Sequence, residues 1–174
     1  ALALVIGGCS PARVAVVDPE GEFPSNVFPW LALRDRGVEV VTVPARADHS
    51  FDLADFDLAL AKGARLLAVS FVEFYSGFRF DLAALGEICR RRGALFAVDA
   101  IQGLGAFPID VRGAGIDFLA ADAHKWLLGP EGVAVFFCRK DRLDLLRPVI
   151  LGWNSVAQAG DFFDLWVVGF TDGP

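Results

Sequence analysis

Methionine is absent from this 174-residue sequence, even at position 1, and cysteine is scarce. Because a natural start normally carries methionine, we expect the chain to be an internal piece of something longer. The three cysteines, Cys9, Cys89 and Cys138, show no CxxC spacing, which argues against a disulfide framework and is typical of a cytoplasmic protein. Cys89 and Cys138 lie in predicted apolar elements and are expected to be small core residues. Cys9 is either a turn residue or a reactive thiol.

Positively charged residues are also few. The sequence has 16 lysines and arginines against 22 aspartates and glutamates, which gives a net charge of -6. That balance argues against nucleic acid or an anionic membrane as the main partner. Charged or turn residues interrupt every apolar run before it reaches about 18 residues, so we predict no transmembrane span. Hydrophobic residues are abundant, at 55% of the total, which suits one compact domain with a substantial core.

Apolar strands alternate with helices along the chain. Short apolar segments predict strands at residues 13–18, 38–43, 65–71, 94–99, 117–122 and 133–138. Helices are predicted from about Ser25 to Gly37, over 51–63 with Asp52 as its cap, and over 80–93 with Gly93 as its stop. This alternation predicts a three-layer α/β/α fold with a mainly parallel sheet. The last two strands are joined too closely for a helical crossover and are expected to pair antiparallel.

Three polar side chains are predicted to converge at one edge of this sheet. Ligands of open α/β sheets bind beyond the carboxyl ends of the strands, and Asp99 ends the strand "ALFAVD". Gln102 follows in the same loop, and Lys125 follows the strand that ends at Asp122. A carboxylate, an amide and a lysine are what pyridoxal 5'-phosphate requires, for its ring nitrogen, its phenolic oxygen and its aldehyde. An apolar setting also makes a lysine amine a better nucleophile.

Each of these residues has a structural explanation as well. Lys125 could sit at a strand end with its stem along apolar surface, and Asp99 could cap a turn. Gln102 in a turn carries little information by itself. A dinucleotide-binding domain has the same type of sheet, but no GxGxxG motif follows a strand in this sequence.

From about Val14 to Val156 the sequence resembles the large domain of the class V aminotransferases. These are fold-type I pyridoxal phosphate enzymes, and they include cysteine desulfurases and isopenicillin N epimerase-like enzymes. The likeness is carried by "EFPSNVFPW", "AVSFVEFYSGFRFDLAALGEICRRRGALFAVDAIQGLGAFPIDV" and "DFLAADAHKWLLGPEGVAVFF". The resemblance implies that Lys125 binds the cofactor as a Schiff base. It also implies that Asp99 pairs with the ring nitrogen and that Gln102 reaches the phenolic oxygen.

The resemblance assigns two further cofactor-binding residues, each with an alternative. His124 would contact the cofactor phosphate or orient its neighbour, unless it is a structural histidine. Phe23 stands where desulfurases carry a histidine stacked on the pyridine ring, and its flat face can stack in the same way. It could equally be a core phenylalanine. His49 matches nothing catalytic and is expected at the surface, and no metal site is predicted.

The sequence also departs from the family pattern. Asp122 stands where relatives usually place glycine or serine near the cofactor phosphate, where a carboxylate is repulsive unless it turns away or is protonated. Phe74 occupies a position where desulfurases tend to carry asparagine, which weakens the case for desulfuration. None of the three cysteines corresponds to the catalytic cysteine of those enzymes, which lies further downstream.

We expect residues 1–156 to be the cofactor-binding core and 157–174 to begin a truncated C-terminal segment. By resemblance, the main phosphate-binding loop lies upstream and a C-terminal domain supplies the arginine that grips the substrate carboxylate, so the chain as given is expected to be incomplete for catalysis. The implied function is a pyridoxal phosphate-dependent, aminotransferase-like enzyme for an amino acid or related amine, homodimeric when intact. The alternative is a truncated or degenerate, non-catalytic module of the same fold. The sequence leaves the reaction subtype open.

Overall fold

The structure is a computed structural model that describes residues 15–146 and residue 152. The expectations for Cys9, for the end of the chain and for a boundary at residue 156 lie outside the described residues. Within residues 15–146, no helix has the length and apolar content needed to cross a membrane.

Within residues 15–146, six strands form one sheet: β1 (Ala15–Pro19), β2 (Glu39–Val43), β3 (Leu66–Ser70), β4 (Leu95–Asp99), β5 (Phe118–Asp122) and β6 (Ala134–Cys138). Their order across the sheet is β2-β1-β3-β4-β5-β6. β1 to β5 pair in parallel and β6 pairs antiparallel with β5. The mainly parallel sheet and its antiparallel last pair are therefore confirmed, with each strand within a residue or two of its predicted position.

Three α-helices connect the strands in this part of the chain: α1 (Pro24–Leu31), α2 (Leu53–Ala61) and α3 (Leu82–Arg92). The side chain of Asp52 caps α2 by accepting from the N–H of Ala54 at 3.0 Å. α3 ends at Gly93 in the left-handed conformation, with a φ of 66° that glycine adopts without strain. Both boundaries are those expected from the sequence.

The first helix is shorter than predicted. α1 ends at Leu31, a separate 3-10 turn covers Arg34–Arg36, and Gly37 then adopts a φ of 86°. Pro29 lies inside α1 and has no N–H to donate, which weakens the helical hydrogen bonding around it. The chain then turns into β2, and the N–H of Val38 donates to the carbonyl of Leu33 at 3.3 Å.

Alternating residues of the central strands pack on opposite faces of the sheet. On one face, Leu67 and Val69 of β3 join a large cluster with the apolar sides of α2 and α3. On the other face, Leu66 and Ala68 join a smaller cluster around Trp30 of α1. Helices therefore cover both faces, as a three-layer α/β/α fold requires.

Candidate active site

The carboxyl edge of the sheet brings together the ends of β3, β4 and β5. Ser70, the last residue of β3, is in register with Asp99, the last residue of β4. Asp99 is in turn in register with Ala120 of β5. Parallel pairing thus places the loops that carry Gln102 and Lys125 side by side, at the edge where the sequence predicts a ligand.

The carboxylate of Asp99 is half-buried and accepts one hydrogen bond on each oxygen. Its Oδ1 accepts from the backbone N–H of Ile101 at 2.9 Å. Asp99 therefore caps the turn that follows β4. Its Oδ2 accepts from Nδ2 of Asn26 at 2.7 Å. A carboxylate has about four acceptor sites, so these two contacts leave acceptor capacity for a further donor. No described cation forms an ion pair with Asp99.

A hydrogen-bonded cluster that the sequence patterns did not predict adjoins Asp99 through Asn26. Glu22 is only 6% exposed, and its Oε2 accepts from the N–H of Ser70 at 2.6 Å. Its Oε1 accepts from the hydroxyl of Ser70 at 2.6 Å, from the N–H of Phe23 at 2.7 Å and from Nδ2 of Asn26 at 3.3 Å. The signal available in the sequence was Ser70 at the end of a buried strand and Glu22 and Asn26 in "EFPSNVFPW".

Lys125 lies in the turn that follows β5. Its side chain is half-buried, and it forms no salt bridge with any described residue. The turn closes when the N–H of Leu128 donates to the carbonyl of Lys125 at 3.1 Å, and the N–H of Gly129 to that of Ala123 at 2.9 Å. The amine therefore has no acidic partner in the described part of the chain.

His124 lies next to Lys125 and faces Asp122. Nδ1 of His124 is 3.9 Å from Oδ2 of Asp122, an ion pair only when the histidine is protonated. Asp122 is more than half exposed at the end of β5. Its carboxylate is therefore exposed to solvent, with His124 as its neighbour.

The loop that carries Gln102 lies against the loop that carries Lys125. Gln102 is half-buried, and no described residue hydrogen-bonds to its amide. Gly105 has a φ of 96°, and a Cβ placed there would lie 2.7 Å from the carbonyl oxygen of Trp126. The close approach of Gly105 to Trp126 thus fixes the separation of the two loops.

Aromatic side chains line one side of this edge. Phe23 is the N-cap residue of α1 and is 44% exposed, so in the described structure it is not a core phenylalanine. Its ring meets that of Phe74 edge-on, with 5.2 Å between centroids. Tyr75 and His49 extend the row, with 5.6 Å between their ring centroids. His49 is at the surface, as expected.

These residues fit pyridoxal phosphate by the chemistry of their donors and acceptors. Asp99 offers a carboxylate acceptor with no counter-charge among the described residues, which suits a positively charged ring N–H. Lys125 offers an amine without an acidic partner in the described part of the chain. Phe23 offers an exposed aromatic face, which can stack on a flat ring.

Two cysteines in the described part of the chain are poor nucleophiles. Burial raises the pKa of the Cys89 thiol to about 12, with a smaller contribution from Asp117. Burial also raises the pKa of Cys138, again with help from Asp117. Both thiols therefore stay protonated near neutral pH. Cys89 is a buried core residue as predicted, and Cys138 is only partly buried.

Comparison with known proteins places the sequence among pyridoxal phosphate enzymes. A family model described as aminotransferase class-V matches residues 1–160. A probable cysteine desulfurase of Methanothermobacter thermautotrophicus is 37% identical over 147 residues, 84% of this chain and 37% of that protein. The uncharacterized aminotransferase YcbU of Bacillus subtilis is 36% identical over 138 residues, 79% of this chain and 36% of that protein. The chain thus spans little more than a third of the length of these relatives.

Solved structures give the same result. The apo structure of the cysteine desulfurase from Thermococcus onnurineus NA1 has a TM-score of 0.86 at 28% identity, and the match covers 99% of this chain and 42% of that one. The cysteine desulfurase CsdA from Escherichia coli has a TM-score of 0.82 at 26% identity, covering 99% of this chain and 44% of that one.

Proposed function

The chain belongs to the class-V aminotransferase family, and from that premise we propose that it is the pyridoxal phosphate-binding core of an enzyme acting on an amino acid or a related amine. Pyridoxal phosphate is the cofactor of this family. The observation that carries the proposal is Asp99, a carboxylate at the carboxyl edge of the sheet that is held by two donors and has no described cation beside it. We further propose that the core ends near residue 156.

Each residue of the site has a distinct task in this proposal. Lys125 would hold the cofactor covalently, and its free amine Nζ would take a proton from the substrate α-carbon. Asp99 accepts the ring N–H, and Gln102 donates to the phenolic oxygen. Phe23 stacks on the ring, and His124 contacts the phosphate or orients Lys125. The bound cofactor supplies an electron sink for the substrate α-carbon.

Cysteine is the first substrate to test, because several relatives are named as cysteine desulfurases. Phe74, however, lines the site with an apolar ring where the sequence led us to expect asparagine in a desulfurase. Cys89 and Cys138, with their raised pKa values, do not supply the reactive thiolate. Release of sulfide from cysteine and transfer of an amino group are therefore assayed side by side.

Lys125 is the first prediction to test. The protein is incubated with pyridoxal phosphate, reduced with borohydride and digested, and the modified peptide is mapped. We expect the label on Lys125, because this partly buried residue follows β5 at the edge of the sheet that carries Asp99, whereas Lys62 and Lys140 are exposed. Lys125→Ala should abolish labelling, and Lys62→Arg, the control at an exposed lysine, should leave it unchanged.

Two outcomes would redirect the proposal. A label distributed equally over Lys62, Lys125 and Lys140 would mean that no specific site exists. Specific labelling without turnover of any amino acid, in the protein that carries this chain, would favour the alternative of a non-catalytic module.

We also propose that the intact enzyme is a homodimer and resides in the cytoplasm. Trp126 and Leu128 flank Lys125 closely in sequence and are 56% and 90% exposed. Large apolar side chains in such positions favour burial against a partner. Sedimentation of the pyridoxal phosphate-loaded protein would show a single monomeric species if the homodimer does not form.

A further inference from the structure

We propose that Glu22 is a positioning residue that acts through Asn26 to fix the carboxylate of Asp99. This inference rests on the proposed function, in which Asp99 faces the cofactor ring. Glu22 and Asn26 lie at the start of α1, whereas Asp99 ends β4, 73 residues away from Asn26 in sequence. The hydrogen bonds that join them form a chain from a buried acid to the ring-binding acid.

The environment of Glu22 requires a carboxylate. Among the described residues, the four groups that hydrogen-bond to Glu22 are all donors: the N–H of Ser70, the hydroxyl of Ser70, the N–H of Phe23 and the amide of Asn26. A carboxylate only accepts hydrogen bonds, so it satisfies all of them. A glutamine of the same shape would direct its own N–H groups at a backbone N–H in either orientation of its amide.

Asn26 has one orientation that suits its neighbours. Its Nδ2 lies 2.7 Å from Asp99 Oδ2, 3.3 Å from Glu22 Oε1 and 3.4 Å from the hydroxyl oxygen of Ser70. One N–H can therefore point at Asp99 while the other is shared by Glu22 and Ser70. A flipped amide would bring its oxygen close to two carboxylates, which repel it. Glu22 thereby holds the amide so that it donates to Asp99.

The carboxylate of Asp99 depends on Asn26 because few hydrogen bonds hold it. Within the described structure only Asn26 and the N–H of Ile101 hold its carboxylate. If the amide of Asn26 can rotate, Asp99 keeps one contact and can turn about its side-chain bonds. A ring N–H would then meet an acceptor that is no longer held in place, and the geometry on which pre-organised binding depends is lost.

The test has three readouts. They are the Kd for pyridoxal phosphate, the pH profile of the visible absorption of the loaded protein, and the melting temperature of the cofactor-free protein. The variants are Glu22→Gln, Glu22→Asp, Asn26→Ala and the double variant Glu22→Gln with Asn26→Ala. Glu20→Gln is the matched control, because Glu20 is an exposed acid two residues away whose Oε2 accepts only from the N–H of Ala45 among described groups. Asp99→Asn is the reference for loss of the ring contact.

We expect Glu22→Gln and Asn26→Ala each to raise the Kd for the cofactor by about three- to tenfold, the loss of roughly one hydrogen bond. Both should move the pH profile in the same direction as Asp99→Asn. The double variant should match Asn26→Ala alone, because Glu22 acts through that amide. Glu22→Asp keeps an acceptor-only group and should restore part of the effect, and Glu20→Gln should change nothing.

Asn26→Ala keeps the test decisive if Glu22→Gln folds poorly, because it leaves three of the four hydrogen bonds to Glu22 intact. A lower melting temperature with an unchanged Kd and pH profile in both variants would overturn the inference and leave Glu22 as a structural anchor. Fully additive effects in the double variant would overturn the action through Asn26. If Asp99→Asn itself changes neither the Kd nor the pH profile, the proposed function fails first.

Discussion

The contact between Gly105 and Trp126 predicts that one added methyl group will disturb the proposed site. Gly105→Ala introduces a Cβ at 2.7 Å from the carbonyl oxygen of Trp126 and 2.9 Å from its carbonyl carbon, both backbone atoms. Ordinary contacts begin at about 3.4 Å, so the two loops must separate by roughly 0.5 to 1 Å. One of these loops carries Gln102 and the other carries Lys125.

The substitution has two effects, and a second glycine separates them. Alanine at a φ of 96° is strained by about 1 to 2 kcal/mol even where space is free. Gly63→Ala is the matched control, because Gly63 has a φ of 94° and nothing within 4 Å of the added carbon. Both variants should unfold at a lower temperature than wild type, because the backbone strain lowers the free energy of unfolding in each. Only Gly105→Ala should also displace the loops of the site.

The assay is the rate of covalent cofactor attachment, followed by absorbance, together with turnover in the protein that carries this chain. A misplacement of about 1 Å at a reacting group can lower a rate by up to 100-fold. We therefore expect Gly105→Ala to lower turnover by roughly ten- to 100-fold and to slow attachment, with Gly63→Ala close to wild type in both. Equal rates in the two variants would mean that the loop contact does not position Lys125.

Three other predictions follow from single residues. Asp99→Asn should lower turnover at least tenfold, through the loss of a charge-assisted contact of about 1.5 to 3 kcal/mol, while borohydride still traps the cofactor; near-normal turnover would exclude the ring role. Cys89, with a pKa of about 12, should resist iodoacetamide at pH values near 8 in the native protein and react after denaturation. Rapid native alkylation would contradict its burial. The hydrogen bond from Arg92 lowers the pKa of Asp57, so the stabilisation by this carboxylate is present above its unfolded pKa and is lost as the pH falls through its folded pKa. Asp57→Asn should therefore lower the melting temperature at neutral pH, and the difference from wild type should vanish in acid; a constant difference would contradict this linkage.

Local sequence signals account for most of the fold. The apolar pattern of α3, with Leu82, Leu85, Ile88 and Cys89 on one side, matches its buried face, and Gly93 ends it as expected. Such signals are read from a few neighbouring residues, which is why they work without knowledge of the rest of the chain. The exception is α1, which ends at Leu31 and is followed by a separate 3-10 turn over Arg34–Arg36, whereas Gly37 was expected to stop one continuous helix.

In the candidate site, too, some placements could be predicted from local signals and others could not. Asp99, Gln102 and Lys125 follow strand ends, and parallel pairing brings strand ends together, so their placement at one edge could be predicted. The contacts of Glu22 with Ser70 and of Asn26 with Asp99 join residues 48 and 73 positions apart. No periodicity or motif spacing reports which side chain of α1 will face which strand end. Those contacts depend on how α1 packs against the sheet, which only the folded structure specifies.

The two explanations for Asp99 that the sequence left open are compatible with each other. Capping of the turn at Ile101 involves Oδ1, and the contact with Asn26 involves Oδ2. Each oxygen has a second acceptor site, so neither contact prevents the carboxylate from accepting a ring N–H. The turn contact instead restrains the side chain from one side while Asn26 restrains it from the other. A residue that looked like an ordinary turn cap is for that reason better prepared for the proposed role than an unrestrained aspartate at the same strand end would be.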